Sequence, residues 1–272
     1  MAGTGKKWLI GCGVGCAATS LLAIIITIGG GLLLTRPFGK AVDAQKALTS
    51  EFGSRESYEP GPGGIAPDRM EAFLAVRRAL LPSCAEFEKI GASFEAMEEL
   101  DKDGDEPSTG EMLKGVGNVM GSVFGIAGEI GKVTQRRNEA LLEQEMGLGE
   151  YTWIYVLAYN VWLANAPNTE FSGDAGHPYQ GQELKTVRRL LENYTEALRR
   201  AGMMEQAEIW SREAARLDRV DSGVPFTDGE LPGEFIDSFA PYRRQLEKTY
   251  CPAMAAFDLG RVQKKGFSYH SD

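Results

Sequence analysis

From Trp8 through Leu34 the chain runs for 27 residues without a formal charge. At about 1.5 Å per residue, a helix of that length crosses a hydrocarbon core of roughly 30 Å with some tilt. Trp8 suits the headgroup level. A buried globular helix this long would show a polar stripe, and Leu21 to Leu34 shows none beyond Thr27. The pattern predicts a transmembrane helix over 8–34, preceded by a short N-terminus over 1–7.

Three other readings compete for these residues. Lys6 to Cys16 imitates a strand entering a glycine-rich dinucleotide loop, but no alternation of strands and helices follows to build the sheet. Leu9-Ile10-Gly11-Cys12 resembles a lipoprotein processing box, yet the apolar run follows the cysteine instead of preceding it. A cleaved signal peptide has an apolar core of about 7 to 15 residues, shorter than this one. Within the span, Gly11, Gly15 and Thr19 recur every four residues, with Cys12, Cys16 and Ser20 as the adjacent row. Small residues at that spacing let helix backbones approach closely, so this face is a candidate for helix-helix packing in the membrane.

Beyond the span the apolar period is helical almost throughout. Ala41 to Phe52 predicts a short helix at the membrane surface, and Tyr58-Glu-Pro-Gly-Pro-Gly-Gly64 reads as a linker, giving a membrane-proximal segment over 35–66. Asp68-Arg-Met-Glu71 has the form of a capping box, opening a helix that should stop or kink at Pro82. Phe87, Ile90, Phe94 and Met97 continue at helical spacing, and Met112 to Ile130 does so through a run rich in glycine. After Gly147 and Gly149 comes Glu150 to Leu163, where Tyr151, Tyr155, Tyr159 and Trp162 fall on one helical face and Ile154, Leu157 and Val161 on another. Such a helix is buried nearly all round and forms the expected centre of the core. Leu184, Val187, Leu191, Tyr194 and Leu198, then Met203, Ala207, Trp210, Ala214 and Leu217, step by three and four on either side of Ala201-Gly202, which predicts an antiparallel helix pair. A last helical stretch runs from Phe235 to Leu246. The expected architecture is all-α, a single anchor followed by a helical soluble domain over 67–257 and a tail over 258–272.

Charge changes the picture in one respect. The first 42 residues hold Lys6, Lys7, Arg36 and Lys40 and no acid, while the rest sets 25 basic residues against 38 acidic ones. So acidic a surface is a poor match for phosphate, which excludes nucleic acid as the expected partner. Lys6, Lys7 and the terminal amine place the N-terminus in the cytoplasm by the positive-inside bias, and the soluble domain outside it, in the periplasm if the cell is bacterial.

Cys84 and Cys251 are the two cysteines outside the span, and an oxidising compartment would pair them. Catalytic chemistry is thinly supplied. His177 and His270 fall in an expected loop and tail, and neither a nucleophile elbow nor a phosphate loop occurs. Asp101, Asp103 and Asp105 imitate the start of a calcium loop, but Glu106 replaces the turn glycine and Met112 the closing glutamate, so no metal or cofactor is expected. An aromatic row with a polar end is the one candidate for a ligand groove: Tyr151, Tyr155, Tyr159 and Asn160. The expected function is that of a noncatalytic, single-pass envelope protein that binds or scaffolds other proteins, as an accessory subunit of a membrane complex. Its partners are then the bilayer and envelope proteins met through the anchor and the helical domain. The alternatives are a tethered envelope hydrolase using carboxylates near the aromatic helix, and a helical sensor holding an apolar ligand.

Overall fold

A computed structural model describes residues 35–88, 128–164, 179–227 and 231–258. The expected anchor, with its packing face of Gly11, Gly15, Thr19, Cys12, Cys16 and Ser20, lies outside the described residues, as do the acidic stretch 101–106, His177 and His270. Among the described residues no helix is long and apolar enough to cross a membrane.

The described fold is all-α. Helix α1 spans Thr35–Phe52 and α2 spans Pro67–Leu80, prolonged by a 3-10 turn over Leu81–Ser83. Helix α3 occupies residues 128–143, and α4 runs over Leu148–Tyr155 before passing into a π-helix over Val156–Leu163. Then come α5 (Gly181–Arg200), α6 (Met204–Asp218), α7 (Gly233–Phe239), α8 (Arg243–Thr249) and α9 (Pro252–Asp258). Two-residue strands β1 (Tyr179–Gln180) and β2 (Ser222–Gly223) pair antiparallel across the open end of the α5–α6 hairpin.

The hairpin follows the expected period. Leu184, Val187, Leu191, Tyr194 and Leu198 are buried against Ala207, Trp210, Ala214 and Leu217. Between the helices, the Met203 amide donates to the Leu198 carbonyl at 2.9 Å and the Gly202 amide to Arg199 at 3.0 Å, while Gly202 takes φ +77°. That reciprocal pair closes a helix around a left-handed residue, a position that glycine fills without a Cβ penalty.

The start of α2 departs from expectation. Pro67 occupies the first turn, Ala66 precedes it, and no side chain caps the helix. Proline is preorganised for that place because the missing N–H would have had no helical partner, so the helix begins before Asp68 can serve as cap. Asp68 instead sits in the first turn, where its charge faces the positive helix end.

The stretch expected as a linker is fastened along the domain. Asn193 donates to the carbonyls of Glu56 at 2.9 Å and Tyr58 at 2.8 Å, and the Tyr194 hydroxyl donates to the Gly63 carbonyl at 3.0 Å while accepting from the Gly63 amide at 3.1 Å. Helix α1 is bound as well: Ala41 and Leu48 are buried, and Asn138 on α3 donates to Gln45 at 3.1 Å.

Candidate functional site

The turn that introduces α4 is built on backbone geometry. The Met146 amide donates to Leu141 at 2.9 Å and the Glu145 amide to Leu142 at 3.1 Å, with Glu145 at φ +47°. This is the same closure as at Gly202, with glutamate in the left-handed place and the buried Met146 behind it. Three residues after Met146, at Gly149, the chains come too close for a side chain. A Cβ on Gly149 would lie 2.4 Å from the Tyr58 Cβ and 2.5 Å from the Arg55 carbonyl oxygen.

Glu150, in the first turn of α4, is gripped by Arg69. The guanidinium donates through Nε and Nη2 to the two carboxylate oxygens, each at 2.7 Å, and Nη2 also donates to the Glu145 carbonyl at 3.1 Å. The hydrogen bond to Glu150 holds the Arg69 pKa above its ordinary value. Burial, reinforced by the Glu150 charge, pushes the neighbouring Tyr58 hydroxyl up. The result is a clamp joining α2 to α4, with both carboxylate oxygens occupied.

The groove candidates on the aromatic helix lie in the core. Tyr151, Tyr155 and Tyr159 are each 0% exposed, as is Phe73, whose ring is 5.3 Å from that of Tyr151. Arg77 of α2, 1% exposed, fills the space the tyrosines enclose. Its Nη1 donates to the Tyr151 hydroxyl at 2.8 Å and its Nη2 to the Thr249 carbonyl at 3.0 Å. Its guanidinium carbon lies 5.2 Å from the Tyr155 ring centre and 5.4 Å from that of Tyr159. A planar cation desolvated among aromatic faces is attracted to their π-systems while its N–H groups satisfy buried acceptors.

Trp162 does not continue this row. From Val156 the helix turns to i→i+5 hydrogen bonding, which widens each turn and rotates later side chains away from the α-helical register. Trp162 therefore packs on Phe239 at 5.7 Å, with Arg243 5.9 Å from its ring centre. Asn160 is partly buried and donates to the Tyr179 hydroxyl, tying the π-helix to β1.

The pairing expected of Cys84 and Cys251 is present: their sulfurs are bonded, with the Cα atoms 5.9 Å apart and a sequence separation of 167. The bridge arrives beside the tyrosine cage. Thr249 shares a 3.0 Å hydrogen bond with the Tyr159 hydroxyl, and the Tyr250 ring lies 5.0 Å from that of Tyr159. Sequence reasoning missed Arg77, Arg69 and Thr249. A signal for Arg77 existed: Phe73, Arg77, Leu80 and Cys84 step by four, three and four, so the arginine sits within an apolar stripe.

On the surface a shallow cleft follows α5 and α6, floored by Thr195 and Ala214. Its rims are charged and paired, with Arg188 on Asp218, Arg199 on Glu196 and Arg200 on Glu59, the last at 2.7 Å. Among the described residues no three His, Cys, Asp or Glu side chains are grouped to hold a metal ion. No family model matches the chain, and no curated protein or solved structure is significantly similar to it.

Proposed function

We propose that this chain is a single-pass envelope protein whose helical domain is held outside the cytoplasm and binds or scaffolds other proteins, as an accessory subunit of a membrane complex. The observation that carries the reading is the closure of the aromatic helix. Tyr151, Tyr155 and Tyr159, the side chains best suited to line a ligand groove, surround Arg77 in the core. Glu150, the carboxylate beside them, is engaged through both oxygens by Arg69.

Two further features support the placement. The uncharged run from Trp8 to Leu34 has the length of a membrane span, and Lys6 and Lys7 before it favour a cytoplasmic N-terminus. The Cys84–Cys251 bridge suits a compartment that keeps disulfides oxidised. Binding then uses the domain surface and the small-residue face of the anchor, Gly11, Gly15 and Thr19.

The test is in-cell crosslinking of the native chain followed by purification in mild detergent. A defined stoichiometric protein partner is the expected product, reduced when Gly11 and Gly15 are changed to leucine. Recovery of the chain alone, in its native membrane and at native abundance, would refute the subunit reading.

A further inference from the structure

We infer that the domain is seated directly on the bilayer through the first turns of α1, so that it acts at a fixed, short height above the membrane and not from a flexible stalk. The inference rests on the proposed anchor over 8–34 and adds to it the docking of α1. Helix α1 begins at Thr35, the position that follows the proposed span over 8–34. Pro37 falls in its first turn, where proline forfeits no helical hydrogen bond, which makes this a natural place for a helix to start. By Ala41, 3% exposed, the helix is already part of the domain. Leu48 is 1% exposed, Gln45 accepts from Asn138, and Phe52 lies against Gly147, so the docking continues to the helix end.

The remaining slack is small. From Leu34 to Ala41 the chain advances about 10 Å if helical and at most about 25 Å if fully extended. The Pro-Gly stretch after α1 adds nothing to this reach, because Tyr58 and Gly63 are bonded to Asn193 and Tyr194 on α5.

The chemistry of this pole fits headgroups. Arg36 and Lys40 precede Asp43, the first acid of the chain, so the end of the domain nearest the span is basic while the remainder is acidic. Lys40 is exposed, and Val42 beside it keeps 47% exposure. Basic residues next to a span are drawn to anionic headgroups within about a Debye length, roughly 10 Å, which is comparable to the reach of the helical segment and shorter than that of an extended one. The partner this surface fits is the phosphate layer of the bilayer itself.

The experiment uses the full chain with Cys12 and Cys16 changed to serine, Cys84–Cys251 intact, and a fluorophore on Lys46→Cys, an exposed site of α1. It is reconstituted into phosphatidylcholine/phosphatidylglycerol vesicles carrying a headgroup-linked energy acceptor. A second form carries a twenty-residue Gly/Ser spacer between Leu34 and Thr35, which adds a root-mean-square reach of about 25 Å. Energy transfer is expected to be at least three-fold higher without the spacer. Equal transfer in the two forms, whether high or low, overturns the inference while leaving the anchor in place. Failure of the chain to float with the vesicles refutes the anchor, and the inference with it.

Discussion

At the scale of single residues, Arg77 is the costliest choice in the core and the one whose removal should be felt most. Its stem and guanidinium occupy the centre of an aromatic cage, and its N–H groups serve the Tyr151 hydroxyl and the Thr249 carbonyl. Arg77→Ala leaves a cavity and two buried acceptors without this donor, and should cost about 3–5 kcal/mol. Arg77→Lys keeps the charge but loses the planar fork and should cost about 1–3 kcal/mol. Urea unfolding midpoints with unchanged slopes check the order, and an alanine variant within half a kcal/mol or so of the parent would remove Arg77 from this role. Tyr194 offers a second test, through pH. Burial pushes its hydroxyl up to about 12 from an ordinary value of 10.0, with the nearby Glu234 charge adding to the effect against the Gly63 hydrogen bond. The unfolded chain then releases this proton at lower pH than the folded one, so the Tyr194 contribution is intact below pH 10 and is lost as pH rises toward 12. Stability measured from pH 9 to 12 should fall less steeply in Tyr194→Phe than in the parent. Parallel slopes would show that other groups govern alkaline unfolding.

At the scale of elements, close approach decides as much as burial. Gly149 lets α4 touch the Arg55–Tyr58 segment, and an alanine there must displace both the Arg55 carbonyl and the Tyr58 Cβ, which belong to a segment fastened to α5. Gly149→Ala should therefore cost about 1–3 kcal/mol, read from thermal or urea unfolding, and a neutral result would mean that the segment gives way. This contact also marks the limit of what was legible in advance. The α5–α6 hairpin could be read because its apolar positions repeat every three or four residues and its turn carries glycine in the left-handed place. The segment 55–66 could not, because its prolines and glycines look like a linker while the groups that fasten it, Asn193 and Tyr194, lie more than 130 positions away. Within α4, residue type was legible and register was not. The tyrosines were expected to share a face and they do, but the π-helix turns Trp162 away toward Phe239. Arg77 was hidden by its charge, which reads as a solvent position although its spacing belongs to the apolar stripe. Glu145 was hidden because a glutamate at a helix end gives no notice of positive φ.

At the scale of the whole molecule, one covalent bond joins the early helices to the late ones. Cys84 follows α2 and Cys251 lies between α8 and α9, so the bridge closes a loop holding α3 through α8. Linking residues so far apart in sequence restricts the unfolded chain strongly, and the loop-entropy account places the stabilisation at about 2–5 kcal/mol. The same segment is held without the bond: Arg77 grips Thr249, Thr249 meets Tyr159, and Tyr250 packs on Tyr159. These contacts predict that the reduced protein keeps its fold and loses stability, instead of unfolding outright. A Cys84→Ser/Cys251→Ser variant should show the near-ultraviolet circular dichroism of the parent at moderate temperature, since its buried tyrosines and tryptophans keep their surroundings. Its urea midpoint should fall, and dithiothreitol should lower the parent's midpoint to the same value while leaving the variant unchanged. Loss of the aromatic signal in the variant would mean that the Arg77 cage cannot hold the C-terminal helices alone, and that the domain depends on an oxidising compartment to fold as well as to persist.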